Sequence, residues 1–183
     1  MAGDWNHKIM GVVNLMRIIV IGTGKLGYQI AETLSKEKYD LVVIDNDSDV
    51  TDRISESLDV LAIHANGLLA EPLNELRLNK EDLVIAATGS DEGNILACMS
   101  AKSLGAGWTI ARIRDPEYTR DLAVSQEQLC IDHILNPDQS TAEEISQLLC
   151  FAPARQIQRF VQGKVHMVEI SVTADNPLAG LPI

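Results

Sequence analysis

The stretch that decides the fold is RIIVIGTGKLGYQIAETL, Arg17 to Leu34. Five strand-like apolar residues run into Gly-x-Gly-x-x-Gly, and a helix-like pattern follows. In such a turn Gly22 permits the tight reversal out of the strand. Gly24 lets the backbone approach a pyrophosphate, and Gly27 lets the helix pack closely on the strand. Thr23, Lys25 and Leu26 fill the positions between them. The helix opening near Lys25 points its free N–H groups at the anion. A glycine fingerprint alone is weak evidence, but this one has a strand before it and a helix after it. Asp45 closes the next apolar run about 20 residues on, where a carboxylate accepts hydrogen bonds from ribose hydroxyls and repels a 2′-phosphate, which disfavours NADP. Plainer readings stay open at this point. The glycines could serve only a tight turn, Asp45 could cap the next helix, and Lys25 could simply be solvated.

Working outward, apolar runs recur at 17–21, 40–45, 59–64, 82–87, 108–113 and 131–134. Their near-continuous hydrophobicity is that of parallel strands covered by helices on both faces. A spacing of about 20–25 residues fits βα units, and right-handed crossovers then give an α/β fold, a Rossmann-like doubly wound parallel sheet. Ligands of such sheets sit outside the carboxyl ends of the strands. The ends here are Ala65-Asn66-Gly67, Thr88-Gly89-Ser90-Asp91 and Arg112-Ile113-Arg114. Asp115-Pro116-Glu117 and Asn136-Pro137-Asp138-Gln139 each supply an N-cap, a first-turn proline and an acidic residue. Gly105 marks a helix C-terminus. Ala142, Ile145, Leu148 and Leu149 share one helical face, and Phe151-Ala152-Pro153 breaks that helix. Ala154–Phe160 then reads as a short amphipathic segment, and GKVHMVEISV as a new strand. The expected organisation is a leader or expression remnant at 1–15, a nucleotide-binding domain at 16–150, and a crossover helix with the beginning of a C-terminal lobe at 151–183.

Composition bounds the function. The 183 residues carry 15 basic and 26 acidic side chains, a net charge of −11, with no long basic run, which argues against nucleic acid as a partner. Hydrophobic residues make up 46% and aromatic ones only 4%, so the core is mostly aliphatic. Cys98, Cys130 and Cys150 form no CxxC pair, and read as reduced thiols of a cytosolic protein rather than a zinc site or disulfide framework. No apolar run reaches the roughly 18–20 residues that span a bilayer. A dehydrogenase needs an acid–base group beside the nicotinamide and a substrate pocket. The histidines, His7, His64, His133 and His166, have no evident carboxylate orienter in sequence. The expectation is therefore a binding protein and not an enzyme.

Six motifs, in order, resemble the cytosolic regulatory subunit of Trk/Ktr potassium uptake systems, whose TrkA N-terminal fold is the RCK (regulator of potassium conductance) domain. They are MRIIVIGTGKLGYQIAETL, LVVIDNDSD, HANG, DLVIAATGSDEGNILAC, IARIRDPEY and IDHILNPDQSTAEEISQLL. The tail FVQGKVHMVEISVTADNPLAGLPI is similar to the entry into that family's ligand-sensing lobe. The resemblance implies a regulator that binds NAD(H) or ATP/ADP (AMP possible), forms a homodimer or a higher ring, and acts on a membrane potassium-translocating subunit from the cytoplasmic face of the membrane. It implies that Gly22, Thr23, Gly24, Lys25, Leu26 and Gly27 form the phosphate turn and that Asp45 takes the adenosine ribose. It places Asn66 and Gly67 on the adenine side, Thr88 and Gly89 at the fourth strand end, and Arg112 against the nucleotide. Ala65 departs from the family's frequent glycine. Asn136–Phe160 would be the helical segment that couples lobes and subunits. The rival readings are an NAD-dependent oxidoreductase and a nucleotide-sensing module of another transporter.

Overall fold

A computed structural model of the chain describes residues 16–37, 39–118, 129–150, 154–160, 165–170 and 179. The expected leader at 1–15 lies outside them. Six parallel strands form one sheet in the order β3-β2-β1-β4-β5-β6: β1 (Arg17–Ile21), β2 (Asp40–Asp45), β3 (Leu61–His64), β4 (Leu83–Ala86), β5 (Trp108–Arg112) and β6 (His133–Leu135). Helices α1 (Lys25–Ser35), α2 (Ser48–Ser57), α3 (Ala70–Glu75) and α4 (Asp91–Ser103) connect the first five. The expected doubly wound sheet is therefore the observed one. Its reversal of strand order falls between β1 and β4, which pair from Ile18–Leu83 to Ile21–Ala86.

The two faces explain the unbroken hydrophobicity of the strands. Alternate residues of a strand point to opposite sides. Ile18, Val20, Leu41 and Val43 pack with Ala31 of α1 and Ile54 of α2. Ile19, Ile21, Val42 and Ile44 pack with Leu73 of α3 and with Ala97, Cys98 and Ala101 of α4. Burying four aliphatic residues of a single strand in this way stabilises the sheet by roughly 1.5–3 kcal/mol per side chain. β3 lies at the sheet's edge, and its Leu61 is exposed. At the amino ends of the strands, Asp82 is buried and accepts hydrogen bonds from Arg17 Nη2 at 2.6 Å and Nε at 3.1 Å, and from the backbone N–H of Asn79 at 2.8 Å. This pair staples β1 to the start of β4, away from the glycine turn.

The chain divides into two compact units, one ending at Pro137 and one that holds Asp138 onward, so helix α5 (Pro137–Cys150) falls mainly in the second unit. The second unit also holds β7 (Ala154–Phe160) and β8 (Val165–Ile170), paired antiparallel. The expected strand after residue 162 is present. The expected helical continuation to Phe160 is not: Ala154–Phe160 is a strand. Apolar residues at 154, 157 and 160 mimic a helical stripe, but pairing with β8 satisfies the backbone N–H and C=O groups instead.

Candidate functional site

The residues singled out in the sequence gather at the carboxyl ends of β1, β2, β4 and β5. Gly22 leaves β1 with φ +85°, a left-handed conformation that favours glycine. Its N–H donates to Ile44 O at 2.8 Å, and a Cβ there would stand 2.8 Å from Thr88 Cα. Gly27, buried on the first turns of α1, sits against the carbonyl of Gly22, leaving no room for a side chain. Gly67 is likewise packed onto the side chain of Ile21, so its role in the fold is close packing. Gly24 differs: among the described residues a Cβ there would meet nothing within 4 Å, and none of them calls for glycine by contact.

Gly24 is also the N-cap of α1, and it carries no side-chain capping bond; the first turn of α1 contains no acidic residue. α2 is capped by Asp47, with Asp49 in its first turn. α4 is capped by Ser90, with Asp91 and Glu92 in its first turn. α1 thus keeps its unsatisfied N–H groups and positive end available to an external anion. Lys25 is exposed on that turn, and Leu26 is half-buried. A cleft of about 880 Å³ opens beside it between α1 and α2, lined by Thr23, Gly24, Lys25, Tyr28 and Arg53 among others. The cleft reaches the turn, but Thr88 and Arg112 do not line it.

Asp45 ends β2 and does not cap α2, since Asp47 does. Its Oδ2 accepts from both the N–H and the hydroxyl of Thr23, each at 2.6 Å, and its Oδ1 accepts from the N–H of Asp47 at 3.1 Å. Partial burial pushes this carboxyl's pKa up. The Thr23 hydroxyl, then the N–H groups of Thr23, Asp47 and Asn46, outweigh that and hold it below its ordinary 3.8. Asp45 is therefore ionised at neutral pH and tied to the glycine turn, with acceptor capacity left on Oδ1. The Thr23–Asp45 tie was not foreseen in the sequence.

On the third strand end, Asn66 is exposed, its Oδ1 accepts from Leu68 N–H at 3.1 Å, and Ala65 N–H donates to Asp45 O at 2.8 Å. Across the site, Arg112 Nη1 reaches Thr88 O at 3.4 Å, while its Nε is buried without a hydrogen-bond partner. Gly89, like Gly24, has open space where a Cβ would stand, and its carbonyl accepts from Arg114 Nη2 at 2.7 Å. Two residues hold this side together: Asp91, which the sequence placed at the strand end, and Asn94, which sequence reasoning missed. Asp91 Oδ2 accepts from the N–H groups of Arg114 and Asp115, both at 2.9 Å, and buried Asn94 bridges Thr88 and Arg112. A polar residue six positions past Thr88, on the first turn of the next helix, is the signal that could have pointed to Asn94.

The arrangement provides donors for an anion at one end and a carboxylate for hydroxyl groups at the other. Among the described residues, no group of three His, Cys, Asp or Glu side chains could hold a metal ion, and no helix is long and apolar enough to cross a membrane. His64 Nε2 lies 3.2 Å from Asn46 O, and the Cys98 thiol, buried in the core, is pushed up to about 12.

Comparison with known proteins bears on the family and the fold. The TrkA-N domain profile matches residues 18–137. The chain is 39% identical over 172 residues, 90% of its own length, to the Trk system potassium uptake protein trkA homolog 1 of Methanosarcina mazei. It spans about two fifths of the length of that relative, 42%. Two solved structures share the fold. The TrkA-N domain of the inner membrane protein ybaL from Escherichia coli has a TM-score of 0.63 at 21% identity, over 73% of this chain and 96% of that one. The GsuK channel bound to NAD has a TM-score of 0.59 at 17% identity, over 80% of this chain and 25% of that one. The profile covers well over half of the residues, and the chain belongs to the TrkA-N domain family.

Proposed function

We propose that this chain is a nucleotide-binding regulatory module of potassium uptake, taking NAD(H) or an adenine nucleotide such as ATP or ADP, and that it does no chemistry on it. The observation that carries the reading is the α1 N-terminus. It lacks a side-chain cap and any first-turn acid, and it opens on a Gly24 that no contact among the described residues requires. The residues fit the ligand. Thr23 to Gly27 would receive the phosphates, with Lys25 adding charge, and Asp45 Oδ1 would accept ribose hydroxyls. Asn66 and Gly67 would lie toward the base, and Thr88, Gly89 and Arg112 would close the opposite side.

Regulation would follow from differential affinity. Two nucleotides that favour different shapes of an assembly shift its population by no more than that difference. The assembly we propose is a homodimer, or a ring of dimers, at the cytoplasmic face of a potassium-translocating membrane protein. Its contact surface would include the face of α5 on which Ile145 and Leu149 are exposed. Leu148, Phe151 and Phe160, which the same reading included, lie outside the described side chains. The GsuK structures bound to NAD and to ADP support the ligand class for a protein of the same fold.

Thermal melting with NAD, NADH, ATP, ADP and NADP tests the reading. A ligand at about 100 times its dissociation constant stabilises by about 2.7 kcal/mol. We expect clear upward shifts with at least one of NAD(H), ATP and ADP, and the weakest with NADP, whose 2′-phosphate would face Asp45. No shift with any of them refutes the reading. NADH oxidation dependent on an added small-molecule substrate would favour an oxidoreductase instead.

A further inference from the structure

We infer that Asn94 is a positioning residue for nucleotide binding: it sets Thr88 and Arg112 relative to each other and to the glycine turn without itself reaching the ligand. The inference rests on the nucleotide reading above and assigns to it a residue to which that reading gave no role.

Asn94 lies on the first turn of α4 and is fully buried among residues that are otherwise almost all aliphatic. A primary amide has two acceptor sites and two donors, and here every one is used. Its Oδ1 accepts from Thr88 N–H at 2.9 Å and from Thr88 Oγ1 at 2.7 Å. Its Nδ2 donates to Arg112 O at 2.8 Å and, more weakly, to Thr88 O at 3.4 Å. The orientation of the amide is fixed by its partners, since the opposite one would set its NH₂ against Thr88 N–H. Burying an amide is unfavourable unless it is satisfied in this way, so the side chain is better suited to placing the two strand exits than to filling volume.

The consequences reach the site along contacts already described. Thr88 is the residue against which Gly22 turns, with a Cβ on Gly22 excluded by Thr88 Cα. Arg112 carries the buried, unpartnered Nε and directs Nη1 to Thr88 O. One side chain therefore locks the exits of β4 and β5 together beside the exit of β1. Thr109 serves as an internal contrast. It is another polar side chain completely buried among the described residues, it lies on β5, and it bonds Cys130 O and Asp132 away from the glycine turn.

The test is calorimetric titration of ADP and NADH into the full chain and its variants, with affinity determined on the folded protein and melting followed separately. We expect Asn94→Ala to weaken binding by about tenfold or more, and Thr109→Val to lower the melting temperature while changing affinity by less than about twofold. In an Arg112→Ala background the further loss from Asn94→Ala should fall below about threefold, because the residue it positions is already gone. If Asn94→Ala does not fold, Asn94→Asp keeps the acceptor contacts to Thr88, removes the donor to Arg112, and should show the same loss. Parent-like affinity in the folded Asn94 variant, or an undiminished loss in the Arg112→Ala background, overturns the inference while leaving the nucleotide reading intact. A parent chain that binds neither ligand overturns both.

Discussion

Replacing Asp45 by Asn changes one oxygen into an NH₂ group and tests the pivot of the site. In the native chain the two carboxylate oxygens receive three donors, Thr23 N–H and hydroxyl at 2.6 Å and Asp47 N–H at 3.1 Å. An amide has a single oxygen. Turned to Thr23 it sets its NH₂ against Asp47 N–H; turned to Asp47 it sets it against Thr23 N–H. The Thr23 hydroxyl can rotate to accept, but a backbone N–H cannot. The variant therefore loses at least one charge-assisted bond, worth about 1.5–3 kcal/mol where shielded. Because Asp45 is half-exposed, about 1 kcal/mol of stability is the more reasonable expectation. Ligand affinity should fall further, because the ribose acceptor also loses its charge: by about 1.5–3 kcal/mol, roughly ten- to 150-fold. The pH dependence has a definite sign. The folded-state pKa lies below the ordinary 3.8, so the ionised carboxylate stabilises the fold above that value, and the contribution is lost as pH falls through the lower folded one. Urea unfolding of parent and Asp45→Asn should thus differ at pH 7 and converge toward pH 3. Calorimetric affinity equal to the parent's, or a stability gap that does not shrink in acid, would refute the reasoning.

The glycines of the turn should separate fold from function. Gly27→Ala places a methyl group against Gly22 O and should cost about 1–3 kcal/mol in urea unfolding, whereas Gly24→Ala, with open space at its Cβ, should melt like the parent yet bind ADP or NADH markedly more weakly. Asp82→Ala leaves the Arg17 guanidinium without its buried partner and should destabilise by about 3–5 kcal/mol, with the nucleotide affinity of the folded protein unchanged. Ile145→Asp with Leu149→Asp should turn a dimer into a monomer in light scattering while leaving nucleotide affinity largely intact. A parent that is strictly monomeric well above micromolar concentration would count against the proposed interface, which should bury roughly 1,200–2,000 Å² in total.

Much of the sheet could be read from the chain because its signals are local. Ile18 to Ile21 and Leu41 to Ile44 are unbroken aliphatic runs because helices cover both faces, and the glycine turn and Asp45 follow from strand ends that such runs define. What escaped was set by contacts between residues distant in sequence. Asn94 looked like an ordinary helical position until Thr88 and Arg112, 6 and 18 residues away, closed on its amide. The plainer reading of Asp45 as a helix cap failed because Asp47, two residues later, is better placed to receive Asp49 and Val50 N–H. In ARQIQRF the spacing of Ala154, Ile157 and Phe160 suggested a helix, and only pairing with Val165–Ile170 makes it a strand. Gly24 and Gly27 carry the same letter, but their places in the fingerprint already assign close packing to Gly27, and a Cβ there would meet Gly22 O while one at Gly24 has open space.

The most direct test of the central claim is a calorimetric titration of the full chain with NADH and with ADP, alongside the Gly24→Ala variant. The account predicts saturable binding of at least one of them at one site per chain, and its loss or strong weakening in a variant that melts like the parent. Absence of binding to NAD(H), ATP and ADP alike, or undiminished binding in folded Gly24→Ala, would contradict it.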